Sequence, residues 1–161
     1  MNQYRKSLVK LNHIEHYVNE VNIITILAVD LGTVRTGIAA CDKSEILAFP
    51  VGVYTETGKA LLRKVVEIAS EHKAEMIVVG LPLNMDGTKG ESALKCEEFA
   101  AKLQNRIKIP VEMIDERLTT VVALDMLSEG NMKNRSKKHI VDAAAAVVIL
   151  EDFLCKRKNA L

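Results

Sequence analysis

After residue 22 the apolar positions of the chain follow two rhythms in turn. Residues 23–29, 37–41 and 46–53 are short runs rich in β-branched side chains, separated by the turn-like pieces DLGTVRT and DKSE. Runs of this length and spacing predict three consecutive strands in hairpin connection, an antiparallel meander. Over 57–72 the apolar residues Leu61, Leu62, Val65, Val66, Ile68 and Ala69 recur at helical spacing instead, and 76–81 is again a buried-strand run. A second helix is predicted over 92–103, and a further strand over 111–114, introduced by Pro110. A third helix is predicted over 119–127, stopped by Gly130; after the polar loop NMKNRSKK, a long apolar helix follows over about 139–154. The elements predict one α/β domain over residues 23–156: a five-stranded mixed sheet, three strands antiparallel and then two parallel, with flanking helices.

Residues 1–22 differ from the rest. Tyr4, Leu11, Ile14, Val18 and Val21 make a single apolar stripe on a polar stretch, which predicts a helical extension packed on the domain. A helix for self-association or a partner is the alternative.

Composition narrows the class. A chain of 161 residues has room for one ordinary domain, and 48% hydrophobic with 27% charged residues is a globular balance. No apolar run reaches the roughly 18–20 residues of a membrane span, and the N-terminus scatters charges where a signal peptide needs an apolar segment. A cytoplasmic protein without membrane association is expected. Lys and Arg number 22 against 21 Asp and Glu, a formal net charge of +1, so a polyanion must be met by a local patch. Cys41, Cys96 and Cys155 form no CxxC pair and argue for a reducing compartment rather than structural zinc. With no Trp and only three Phe and three Tyr, an aromatic platform stacking single-stranded bases is not expected.

The chemical signal is carboxylates in apolar settings. Asp30 ends the run IITILAV, where an ionised acid needs a compensating cation or donor; a turn-forming Asp is the alternative. In a helix over HIVDAAAAVVILEDF, Asp142 shares a face with Ala145, Ala146, Ile149 and Phe153, so a carboxylate lies on the buried stripe. The favourable helix dipole there, about 0.3–1 kcal/mol, does not offset such burial. In IDERLTT, Asp115 and Glu116 are adjacent and point to opposite faces of a strand, so only one can share a site with Asp30. The spacing leaves open which, and helix capping is the alternative for Asp115. Three gathered acids repel one another and imply a neutralising hard cation, Mg²⁺ or Mn²⁺, of the kind that supports phosphodiester cleavage.

The segments DLGTVRTGIAACD, VVGLPLNMDGTKGESA, DERLTT and KKHIVDAAAAVVILEDFL occur in this order. Together they resemble the YqgF family, described as pre-16S ribosomal RNA nucleases and Holliday junction resolvase-like proteins. The resemblance covers about residues 24–155. It implies a ribonuclease H-like fold and a carboxylate site similar to those of two-metal nucleases. Carried over by motif, Asp30, Glu116 and Asp142 are the catalytic residues and metal ligands, which favours Glu116 over Asp115. Where the family has Ser before the Asp of the second strand, this chain has Cys41 before Asp42, and residues 1–22 lie outside the family pattern. The implied activity is a metal-dependent endonuclease that leaves a 5′-phosphate and a 3′-hydroxyl. Its implied substrate is the 5′ end of pre-16S rRNA, in association with ribosomal precursors. Branched DNA cut by a junction resolvase is the alternative, and monomer or homodimer stays open.

Other residues suit a phosphate-bearing substrate. Gly32, Thr33, Arg35 and Thr36 offer amides and a guanidinium beside Asp30, and the loop NMDGTKG with Asn84 is a candidate anion nest. Arg117 is placed to orient Glu116 or to contact the substrate. Lys133, Arg135, Lys137, Lys138 and His139 form a basic patch just before Asp142 that would attract a nucleic-acid backbone, with Lys137 and Lys138 as substrate contacts. Two further classes compete. One is a non-catalytic nucleic-acid-binding module of ribosome assembly. The other is an ATP-handling protein, because DLGTVRTG is also similar to the phosphate loop of the actin, chaperone and sugar-kinase group; that fold needs two such domains, and 161 residues supply at most one.

Overall fold

A computed structural model of the protein describes residues 26–117 and 135–160, with side chains in the second stretch described from Ala143 onward. The predicted extension over 1–22 and the predicted helix over 119–127 lie outside the described residues. Five strands form one sheet: β1 (Ile26–Leu31), β2 (Thr36–Cys41), β3 (Ala48–Tyr54), β4 (Met76–Leu81) and β5 (Val111–Asp115), in the spatial order β3-β2-β1-β4-β5. β1 and β2 pair antiparallel, as do β2 and β3, while β4 runs parallel to β1 and β5 parallel to β4. This is the predicted meander followed by two parallel strands. Helix α1 (Gly58–Glu71) leads from β3 to β4, α2 (Glu91–Gln104) from β4 to β5, and α3 (Arg135–Asn159) follows β5.

The apolar runs of β1 and β4 are nearly continuous because helices cover both faces of the sheet. Side chains alternate between the faces. Leu27, Val29, Ile38, Ala40, Ile77 and Val79 pack with the buried stripes of α1 and α2, including Leu62, Val65, Phe99 and Leu103. Ile26, Ala28, Ala39, Cys41, Val78 and Ile114 pack with Ala146, Ile149, Leu150 and Leu154 of α3. Small residues at Ala143 and Ala146, both buried, let α3 lie close to the strands. The stripe predicted over 57–72 holds, with Thr57 and His72 as the caps of α1.

The last helix is longer than its predicted 139–154. It starts at Arg135, so Arg135, Lys137 and Lys138 belong to its first turns rather than to a loop, and it continues to Asn159. Lys and Arg are good helix formers, so polarity alone did not mark a loop. At the far end Lys156, Arg157 and Lys158 complement the negative pole of the helix. Among the described residues no helix is long and apolar enough to cross a membrane, and Cys41, Cys96 and Cys155 form no disulfide.

Candidate active site

The alternation that buries Ala28 against α3 carries Asp30, two residues on, to the same face at the carboxyl end of β1. Its partner in β2 is Gly37. The residue before it, Val29, pairs with Val79 of β4, so Gly80 is its neighbour across the parallel strands. Carboxyl ends of parallel strands are where open α/β sheets form sites.

Glu116 comes to the same place from β5. Its N–H donates to the Leu81 carbonyl at 3.1 Å, extending the β4–β5 ladder one residue past Asp115. The carboxylate lies over Gly80: a Cβ built there would overlap Glu116 Oε1 and stand 2.7 Å from Glu116 Cδ and 2.9 Å from Ile149 Cδ1. The room that a side chain at 80 would fill is thus occupied by the acid, between β4 and α3. Burial, reinforced by the negative charges of Asp30 and Asp115, pushes the Glu116 carboxyl up to about 7. The Cys96 thiol on α2 is pushed up to about 11, chiefly by its own burial and then by Glu116 and Asp30, so one thiol senses both acids.

Asp115 is engaged elsewhere. Its Oδ2 accepts from Arg117 Nε at 2.8 Å and pairs with Arg117 Nη2 at 2.6 Å, while Oδ1 accepts the Arg117 backbone N–H at 3.0 Å. That three-point contact holds the Asp115 carboxyl below the usual carboxylate range, the Arg117 side-chain bond being the chief cause. Of the two adjacent acids, Glu116 is the one coupled to Asp30, and Asp115 steadies Arg117. Asp115→Asn is accordingly expected to lower kcat/KM for nucleic-acid cleavage by at most about tenfold, since a partly exposed charged hydrogen bond contributes little more. Steady-state kinetics on one RNA substrate checks this, and a loss matching that of a Glu116 substitution would contradict it.

The loop between β4 and α2 forms one rim. Asn84 N–H donates to the Thr88 carbonyl at 2.9 Å, Gly87 N–H to the Asn84 carbonyl at 2.8 Å, and Asn84 Nδ2 to Thr88 Oγ1 at 2.8 Å. Asn84 therefore braces the turn. At its apex Gly87 has φ +84°, and a Cβ there would stand 3.3 Å from Arg117 Nη1, so the guanidinium lies against this loop. Arg35 is half-buried in the β1–β2 turn, where its carbonyl accepts the Gly32 N–H at 2.9 Å. Asn84 and Arg117 are thus brought together at one rim, whereas Arg35 is held in the β1–β2 turn that follows Asp30. Asp142, Lys137 and Lys138 lie within α3, but their side chains are outside the described part. Gly80 is the residue that the sequence reading missed. Its signal was present: a glycine inside the strand MIVVGL marks close approach of another group.

Among the described residues no group of three or more His, Cys, Asp or Glu side chains gathers to hold a metal. The two acids that do meet suit a divalent ion nonetheless. They are hard oxygen donors, and burial, with the charge of Asp30 added, keeps the Glu116 proton to near neutrality; a cation would offset both the burial of the charge and the repulsion.

A mixed sheet of this order, three strands antiparallel and two parallel with helices on both faces, defines a domain of ribonuclease H-like fold. In fold the chain is similar to RuvC of Thermus thermophilus, solved in complex with Holliday junction substrate, with a TM-score of 0.52 at 12% identity, over 84% of this chain and 96% of that one. The chain belongs to the RuvX (YqgF) family, described as Holliday junction resolvase, whose model matches residues 24–156. It is 37% identical over 132 residues to the "Putative pre-16S rRNA nuclease" of Maridesulfovibrio salexigens, covering 81% of this chain and 98% of that protein. It is 42% identical over 133 residues to the protein of the same name from Lachnospira eligens, covering 80% and 95%. Nucleases of this fold generally use a divalent metal.

Proposed function

We propose that the protein is a metal-dependent endonuclease that processes the 5′ end of pre-16S rRNA in the cytoplasm. The observation that carries this reading is Glu116 seated over Gly80 and electrostatically coupled to Asp30, with its proton held first by burial and then by the charge of Asp30. Asp142 completes the set in this proposal. It lies four residues before Ala146, which packs against the sheet, and Ile149 follows three residues later on the same helical face.

Asp30, Glu116 and Asp142 would hold Mg²⁺ or Mn²⁺, the ions suited to ligation by oxygen alone. When bound, such an ion supplies positive charge against the phosphoryl oxygens and makes water more acidic. The chain's own residues do the rest. Arg117, fixed by Asp115, would turn its guanidinium along the rim toward a phosphate, with Asn84 bracing that rim and Arg35 in the turn after Asp30 meeting a neighbouring phosphate. Lys137 and Lys138 on the first turns of α3 draw in the backbone. Glu116 must lose its proton before it can bind a cation, so apparent Mn²⁺ affinity is expected to fall about tenfold per pH unit below pH 7. Titration calorimetry across pH 5.5–8 measures this; a flat profile would contradict it.

The test is cleavage of a model pre-16S RNA and of a four-way DNA junction in Mn²⁺, by wild type and by Asp142→Asn. The expected outcome is RNA cleavage by wild type that EDTA abolishes and that the variant reduces at least a hundredfold, on the scale of a lost metal ligand. Equal activity in the two proteins would exclude this metal site. Symmetric cutting of the junction alone, by a stable dimer, would favour the resolvase reading.

A further inference from the structure

Beyond the β1–β2 turn, on the side of the sheet covered by α1 and α2, lies a cleft of about 600 Å³. One wall is Leu31, Gly32 and Thr33, so the cleft begins at the residue after Asp30. Its floor is apolar, with Leu61, Leu62 and Phe99 almost completely buried. Its rim is cationic: among the described residues of the lining, Arg35, Lys59, Lys95, Lys102 and Arg106 face only Glu56 and Glu98. Lys102 is paired with Glu98 and Lys95 with Glu91, whereas Lys59 and Arg106 form no ion pair among the described residues. In a chain of net charge +1 such an excess is local, not a reflection of composition.

Apolar surface below and cations above match the two sides of a nucleotide, whose sugar and base bury against carbon while its phosphate meets positive charge. The volume admits a single strand and is too small for a duplex. Among the described residues of the lining Phe99 is the only aromatic, so a base packs on apolar carbon rather than on a stacking platform and the contacts carry little sequence preference. Val34, 71% exposed on the β1–β2 turn, adds apolar surface at the mouth.

We infer that this cleft holds the single-stranded segment of nucleic acid next to the bond being cut, led from the Asp30 and Glu116 site across the β1–β2 turn and between α1 and α2. The inference rests on the nuclease reading and extends it to a second surface, apart from the basic first turns of α3. The strand is recognised through its backbone, so RNA and DNA are both accommodated there.

The test is fluorescence anisotropy with full-length protein in EDTA, which prevents cleavage. The probes are a labelled single-stranded RNA long enough to span site and cleft, the DNA of the same sequence, and a blunt duplex. Lys59→Ala/Arg106→Ala is compared with wild type and with Lys43→Ala/Lys158→Ala, which removes two exposed cations away from the cleft. The cleft pair is expected to weaken both single strands about tenfold. It should also make the log–log salt dependence shallower by about 1.4, that is about 0.7 for each phosphate no longer neutralised. The duplex and the control pair should stay within twofold of wild type. If the cleft pair melts early, Lys59→Gln alone carries the test, with about threefold weakening expected.

Single-strand affinity and salt slope unchanged in the cleft variant, while wild type binds, would overturn the cleft and leave the nuclease reading standing. Equal weakening of the duplex or by the control pair would overturn it as well. Wild type that binds no nucleic acid would remove both the cleft and the function on which it rests.

Discussion

Glu116→Gln is expected to abolish cleavage while making the metal-free protein more stable. The two effects share one cause. The Glu116 carboxyl titrates near 7 in the folded protein against 4.5 ordinarily, because it is buried beside Asp30 and Asp115. The folded state therefore holds its proton more tightly than the unfolded state does. The associated stability is fully present below about pH 4.5 and is lost as pH rises to about 7, beyond which the ionised acid is a constant burden. A shift of this size corresponds to about 2–3 kcal/mol for a half-buried group, or roughly 5–10 °C in Tm for a chain of this length. A neutral glutamine of the same shape removes the burden. At pH 8 in EDTA the variant should melt above wild type, and at pH 4.5 the two should converge. In Mn²⁺ the order should reverse, because only wild type gains from the cation. Cleavage should fall on the order of a thousandfold or more, since one charged ligand carries several kcal/mol of transition-state stabilisation. Melting curves with and without Mn²⁺, read beside kcat, check all of this; a variant less stable than wild type in EDTA would contradict the account of Glu116.

Gly80→Ala is expected to inactivate the enzyme without unfolding it. The added methyl would overlap Glu116 Oε1 and crowd Ile149 Cδ1, and both are the outer ends of flexible side chains. Each can swing aside, so the fold survives. Alanine relieves the entropic cost of glycine in a strand, about 0.5–1 kcal/mol, while overpacking costs about 1–3 kcal/mol, leaving a net loss near 1 kcal/mol. Glu116 cannot swing aside and still meet Asp30. Cleavage should drop on the order of a hundredfold to a thousandfold, with Mn²⁺ affinity reduced in step and Tm lower by only a few degrees. Full activity would show that the carboxylate does not need the space over Gly80.

Much of this was legible in the chain because burial leaves a periodic trace. The run 76–81 matched β4 (Met76–Leu81) end to end, since an inner parallel strand is apolar on both faces, and here Glu75 precedes it and Pro82 follows it. Asp30 and Asp142 stood out for the complementary reason, as charges where the rhythm calls for carbon. Periodicity alone did not separate Asp115 from Glu116. The difference lies in Arg117, which reaches back to Asp115, and in the free space over Gly80, which admits Glu116; neither is a property of the local pattern. The start of α3 was misplaced for a similar reason, because lysine and arginine are at home both in loops and on exposed helical turns. The cleft between α1 and α2 was invisible as well. It joins Arg35, Lys59 and Arg106, which are scattered along the chain and become neighbours only when the helices fold back over the sheet.

The site is tested most directly by soaking crystals of the protein in Mn²⁺ and recording anomalous diffraction. The expected result is a peak bonded to carboxylate oxygens of Asp30, Glu116 and Asp142, lost in crystals of Glu116→Gln. Asp142 oxygens too distant to share an ion with the other two, or a peak held by other residues, would contradict the three-acid metal centre.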